Sequence, residues 1–252
     1  MSEHEGGNTP QSGAVVITGA SRGLGRTLAF AFAEAGASEV IAGTRKEEDR
    51  NKLRTDAANF GASITPVQLD VTSDEDVNSI AQLGGVDILV NNAGVAGYGN
   101  PVTMSFQSAR EEIEVNYLGT LRMVRAFAPM MIEQRQGAIV NIATAFAKVN
   151  LPLVGTYCAT KAALVSLGQA LRAYLSEHGV VVITVLPTTI DTDMSRGANV
   201  PKMGTEFVAG EILEAIREEK HDPPIGDEAR GALDGLAEDA IGFEKMIAQY
   251  KA

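Results

Sequence analysis

From residue 14 to residue 186, short continuous apolar runs alternate with longer stretches of helical period, and few architectures accept such a chain. Ala14-Val15-Val16-Ile17-Thr18 is apolar without alternation, as expected of a strand covered on both faces. Leu24 to Ala35 follows, with Leu24, Leu28, Ala31, Phe32 and Ala35 on one helical face and Gly36 as its stop. Val40 to Gly43, Ile64 to Leu69, Val86 to Val90, Ala138 to Ile142 and Val180 to Leu186 repeat the strand pattern. Between them lie the helical stretches Glu47 to Phe60, Asp74 to Leu83, Phe106 to Glu133 and Val154 to His178. The third is interrupted at most by Gly119 and Pro129. Repeated β-α-β units with right-handed crossovers predict an α/β fold, a doubly wound parallel sheet with helices on both faces.

No linker divides the pattern, so residues 13–252 are expected to form one domain behind a flexible polar tail, residues 1–12. Beyond Met194 the pattern weakens. Thr205 to Glu219 and Glu228 to Tyr250 read as helices. Between them, His221-Asp222-Pro223-Pro224-Ile225-Gly226 is expected to make a poor strand, because proline has no N–H for a ladder.

Thr18-Gly19-Ala20-Ser21-Arg22-Gly23-Leu24-Gly25 joins the first strand to the first helix. Glycines there permit a tight turn and a close backbone approach to a pyrophosphate at the helix N-terminus. A plain strand-to-helix turn would also use glycine, but the first βα junction of a repeating βα chain favours dinucleotide binding. The end of the second strand then bears on the choice of cofactor. An acidic residue is usual there for NAD; this chain has Thr44, Arg45 and Lys46, with Arg22 in the loop. Guanidinium groups suit a 2′-phosphate, so NADP(H) is expected.

Tyr157 and Lys161 are four apart near the start of the second long helix, on one face. A neighbouring cation favours phenolate, which would lower the tyrosine pKa and suit it to general acid/base work. Thr144, at the end of the fifth strand, carries a hydroxyl that could hold a substrate oxygen.

A net charge of −11 argues against nucleic acid and anionic membranes as partners. The first dozen residues are polar and acidic, unlike a secretory leader, and no apolar run is long enough to cross a bilayer. The single cysteine, Cys158, fits a cytoplasmic protein and reads as a packed thiol. Three scattered histidines suggest no metal site.

Taken with Asp70-Val71, Asn91-Asn92-Ala93-Gly94, Asn116 and Thr192, these motifs resemble the short-chain dehydrogenase/reductase family from Gly13 to about Met194. The resemblance implies a single-domain Rossmann fold and an Asn-Ser-Tyr-Lys catalytic tetrad. It makes Tyr157 the acid/base and Lys161 the residue that holds the ribose and lowers the tyrosine pKa. It makes Asn116 the anchor of a water in a proton relay. On the cofactor side it implies Gly19, Ser21, Arg22, Gly23, Leu24, Gly25, Arg45, Asp70, Val71, Asn92, Ala93, Gly94, Ile190 and Thr192. It also implies a homodimer or homotetramer paired through the two long helices.

Three departures stand out. Thr144 replaces the family's serine, and its β-branch stiffens χ1. Thr188 follows Pro187 where the family has glycine. Pro223-Pro224 replaces the usual seventh strand, which bears on the tetramer interface near the C-terminus. The expected function is NADP(H)-dependent interconversion of an apolar ketone or aldehyde with its alcohol. Phe146, Val149, Leu151 and Met194 are among the residues expected to line the pocket. The alternative is a weakly active or inactive nucleotide sensor or scaffold on the same fold, which Thr144 and Thr188 would favour. An epimerase or dehydratase fits less well, for want of an extended substrate domain.

Overall fold

The computed structural model describes residues 13–249; the tail 1–12 and residues 250–252 lie outside the described residues. Seven parallel strands form one sheet: β1 (Ala14–Ile17), β2 (Glu39–Thr44), β3 (Ile64–Gln68), β4 (Val86–Asn91), β5 (Gly137–Ile142), β6 (Val180–Pro187) and β7 (Pro224–Ile225). Their spatial order is β3-β2-β1-β4-β5-β6-β7, so the winding reverses between β1 and β4. The predicted doubly wound Rossmann architecture is the one found.

The period-2 geometry of β1 shows why its apolar run is unbroken. Val15 and Ile17 join a core with α1 (Gly23–Glu34), α2 (Glu47–Phe60) and α7 (Thr205–Arg217), through Leu28, Phe32, Leu53, Ile212 and Ile216. Val16 points the other way, into a core that includes Val77 of α3 (Asp74–Ala81) and Met123, Phe127 and Met131 of α5 (Thr120–Gln134). Both faces are covered, so both must be apolar.

The stretch predicted as one helix from Phe106 is α4 (Phe106–Glu112), a π-helical turn (Ile113–Gly119) and α5. The interruption is thus the π turn around Asn116, and α5 continues through Pro129. Next comes α6 (Gly155–Leu175), extended by a short 3-10 turn to His178. The expected C-terminal helix divides at Asp239 into α8 (Asp227–Glu238) and α9 (Ala240–Ile247), and the Asp239 side chain caps α9 by accepting from Gly242 N at 2.9 Å.

The proline-rich segment makes the poor strand expected, two residues long, but corrects the expectation that Pro223-Pro224 replaces the seventh strand. It pairs with β6 as β7 because its carbonyls serve as acceptors: Thr184 N donates to His221 O at 2.7 Å and Leu186 N to Pro223 O at 2.9 Å. An edge strand can accept without a full set of donors.

Candidate active site

The loop after β1 closes against the end of β4. Gly19 adopts φ +68, a conformation costly for a side chain, and a methyl there would lie 2.9 Å from Ala93 Cα. A methyl on Gly25 would lie 2.3 Å from Gly19 O, so helix α1 needs glycine to start this close to the loop. Thr18 Oγ1 accepts from the backbone N–H of Asn92 and Ala93 at 3.0 and 2.9 Å. The Asn92 side chain donates to Thr18 O and Gly19 O, and so braces the cradle from below. Ala20 N donates to Gly43 O at 2.8 Å, which seats the loop beside the end of β2. Ser21 and Gly23 are partly exposed, while Leu24 anchors α1 in the core.

Across the loop from Gly23 lies Thr192, with Cγ2 3.1 Å from where a glycine methyl would stand. Ile190 bridges to Met203 and packs on the α1 core. Arg22, Gly23, Asp191, Thr192, Asp193, Arg196 and Lys202 line a cleft of about 400 Å³. Arg22 is 74% exposed and 3.5 Å from Asp193, leaving its guanidinium open to the cleft. Arg45 is exposed at the end of β2 and forms no ion pair among the described residues. The cleft's three cations are each paired with a carboxylate of the same cleft, Arg22 and Arg196 with Asp193 and Lys202 with Asp191, so it is the cradle closed to side chains that fits a dinucleotide phosphate.

Asp70, expected on the cofactor side, has its carboxylate engaged locally. Its carboxylate accepts from Thr72 N and Thr72 Oγ1 at 2.9 and 2.8 Å, forming a turn. Val71 is buried, and its carbonyl accepts from Arg122.

The chemical groups gather around Gly94. A methyl on this glycine would lie 3.3 Å from Asn116 Oδ1 and 3.5 Å from Lys161 Nζ, which brings the two together. Asn116, wholly buried in the π turn, accepts from Val95 N at 2.8 Å and donates to Val95 O and Thr160 Oγ1 at 2.9 Å each. Its amide ties the end of β4 to α6. Lys161 is buried, donates to Ile142 O at 2.7 Å, and lies 5.7 Å from the centre of the Tyr157 ring. Burial lowers the lysine pKa to about 8.

The expected lowering of the Tyr157 pKa is reversed. Burial pushes the phenol well above its usual range, and Cys158, Tyr98 and Glu112 push it the same way. Desolvation of the phenolate outweighs the lysine, whose own charge is disfavoured by the same surroundings. Cys158 is the packed thiol expected, its pKa raised by burial.

Thr144 reaches the same edge, but its hydroxyl donates to Pro187 O at 2.9 Å and accepts from Phe146 N at 3.3 Å. No hydrogen bond joins it to Tyr157 among the described residues. Thr188 donates to Glu228 at 2.9 Å, tying the turn after β6 to α8. The sequence reading missed Glu112, buried on α4 with its carboxylate on Gly97 N at 2.6 Å. Flanked by Glu111 and Glu114, it carries no local signal in the sequence. Among the described residues no cluster of His, Cys, Asp or Glu could hold a metal, and no helix is long and apolar enough to cross a membrane.

The sequence pattern of the short chain dehydrogenase family matches residues 13–202. A sorbitol dehydrogenase of Cereibacter sphaeroides is 37% identical over 243 residues, covering 94% of this chain and 90% of its own. The short chain dehydrogenase pigC of Monascus ruber is 34% identical over 197 residues, covering 73% of this chain and 64% of its own. Among solved structures, a short chain dehydrogenase from Burkholderia cenocepacia J2315, in complex with NADP, superposes with a TM-score of 0.87 at 35% identity, covering 95% of this chain and 98% of that one. The glycine cradle, the buried Asn116 and the Tyr157–Lys161 pair therefore stand in a chain that belongs to the short-chain dehydrogenase/reductase family of oxidoreductases.

Proposed function

We propose that the chain is an NADP(H)-dependent oxidoreductase that interconverts a ketone or aldehyde with its alcohol, using Tyr157 as the general acid/base. The observation that carries this reading is the end of β4. Asn92 and Ala93 touch the glycine cradle, and Gly94, next in the chain, touches Asn116 and Lys161. The nucleotide cradle and the lysine of the Tyr157–Lys161 pair thereby border one short segment. The nicotinamide supplies or accepts the hydride when bound. Tyr157 gives its proton to the carbonyl oxygen, and Lys161, at the same helix face, offsets the charge left on the phenolate. A phenol whose pKa is raised keeps its proton at neutral pH, which suits reduction. Arg22 and Arg45 favour the 2′-phosphate, in keeping with the NADP-bound relative.

The substrate we infer is apolar, since the apolar Phe146 and Leu151 precede α6, Met194 follows Thr192, and none of the three is fully buried; sugar alcohols, named in the sorbitol dehydrogenase relative, are the contrasting class. A cytoplasmic homodimer or homotetramer paired through α4–α5 and α6 completes the proposal. One observation favours the second reading, a nucleotide sensor without turnover: the Thr144 hydroxyl is committed to Pro187 O.

Cofactor oxidation with a panel of ketones, aldehydes and ketoses, run with NADPH and NADH, tests the choice. Turnover with NADPH that Tyr157→Phe reduces by about a hundredfold or more is expected, the loss typical of removing a general acid. Tight NADPH binding with no turnover on any substrate would favour the sensor.

A further inference from the structure

Among the described residues only two charged side chains are buried, Lys161 and Glu112, and no salt bridge joins them. A carboxylate placed in a protein interior is costly unless it is held there by hydrogen bonds. Glu112 is 1% exposed; its Oε1 accepts from Gly97 N at 2.6 Å, and its Oε2 is buried without a partner. Such a group is poorly explained as a stabilising element, so its surroundings matter.

The segment it holds is fastened at three points to three elements. Gly97 N donates to Glu112 on α4. Gly99 N donates to Leu153 O, in the turn before α6, at 2.9 Å. Between them, Tyr98 donates its hydroxyl to Met194 O, in the turn after β6, at 2.8 Å. A methyl on Gly97 would lie 3.3 to 3.4 Å from Glu112, Met104 and Ser108, so this backbone is packed directly onto α4. The segment therefore arches from the start of α6, where Tyr157 sits, to the turn that follows Thr192.

We propose that Glu112 is a positioning residue of the reaction site: it anchors Gly97–Tyr98 as the substrate-side wall. The proposal rests on the reading of Tyr157 as acid/base. The titratable groups that bear on the phenol are Cys158 and Lys161 from α6, Tyr98 from the arch and Glu112 from α4. Burial, Cys158, Tyr98 and Glu112 all disfavour phenolate, and so help keep Tyr157 in the protonated form that reduction consumes.

Three variants test the anchor. Glu112→Gln keeps an acceptor for Gly97 N and removes the charge; Glu112→Leu removes both; Tyr98→Phe cuts the arch at its other end. Glu112→Leu and Tyr98→Phe are expected to raise KM for the carbonyl substrate about tenfold, the loss of one strong hydrogen bond, with NADPH affinity unchanged. Glu112→Gln, which keeps the acceptor, should keep KM near wild type. A KM and NADPH Kd that rise together in Glu112→Leu, without rescue by Gln, would overturn the proposal in favour of a merely structural role, as would no effect in any variant.

Amide hydrogen exchange of residues 97–99 provides a readout independent of turnover. Protection that is kept in wild type and Glu112→Gln but lost in Glu112→Leu supports the anchor even if wild type reduces nothing, an outcome that would count against the reductase alone. Equal exchange in all three overturns the anchor whatever the activity.

Discussion

Lys161 occupies surroundings that disfavour its charge. It is 4% exposed, donates to a backbone carbonyl, and has no carboxylate partner among the described residues, so its pKa falls from 10.5 to about 8. Between those values the unfolded lysine holds a proton that the folded one has lost. Raising the pH from 8 to 10 therefore stabilises the folded chain, by up to about 1.4 kcal/mol per pH unit. Tyr157 acts in the opposite sense, but only above pH 10, where the unfolded phenol ionises and the folded one does not. Urea unfolding at pH 8, 9 and 10 should show wild type gaining on Lys161→Met across the series; parallel curves would mean that the lysine is not desolvated. The tyrosine–lysine pair was legible because both residues lie on one helix face, within reach of a local pattern. The direction of the phenol's shift was not, since it depends on burial by segments distant in sequence. Glu112 was hidden for the same reason. Beside Glu111 and Glu114 it reads as one more solvated charge, until the loop at Gly97 folds over it.

Helix α6 lies against β6 at a point that admits no side chain. A methyl on Gly168 would stand 2.2 Å from Thr184 Oγ1, and that hydroxyl is buried without a partner. Gly168→Ala is expected to destabilise by about 1–3 kcal/mol, the usual cost of overpacking. Adding Thr184→Ala should recover part of the loss, because the hydroxyl removed satisfies nothing. Equilibrium denaturation of the two single variants and the double variant measures the coupling; strictly additive losses would place the strain elsewhere. Strands and helices were legible at this scale from apolar period alone, with ends shifted by a residue or two. The π turn was not, because one extra residue in a turn leaves the apolar pattern nearly intact. The proline edge strand was misread because the rule applied concerned donors, whereas β6 required acceptors from it.

At the scale of the whole molecule, the reversal of strand order between β1 and β4 opens a crevice at the carboxyl ends of the strands, and the glycine cradle and Gly94 both border it. A ligand that binds only the folded chain stabilises it by mass action, about 2.7 kcal/mol at a hundredfold excess over its Kd. For a domain of this length NADPH at that excess should raise Tm by about 5–10 °C, and NADH at the same concentration by less. Equal shifts in a thermal melt would remove the case for a 2′-phosphate site at Arg22 and Arg45. The crevice itself was foreseeable from the order of elements; the hold of Pro187 on Thr144 was not, since nothing local links the two positions.

The two rims of the sheet share a chemical trait. On β3, the odd-numbered residues bond to β2, so Pro66 turns its backbone outward. On β7, Pro223 faces β6 and Pro224 turns outward. Each rim thus presents a residue without an N–H where an incoming strand would look for its donor. A neighbouring chain meets blunted borders on both sides, and fibril-like growth by strand addition is discouraged before any surface charge is counted. Self-association is left to the helical faces.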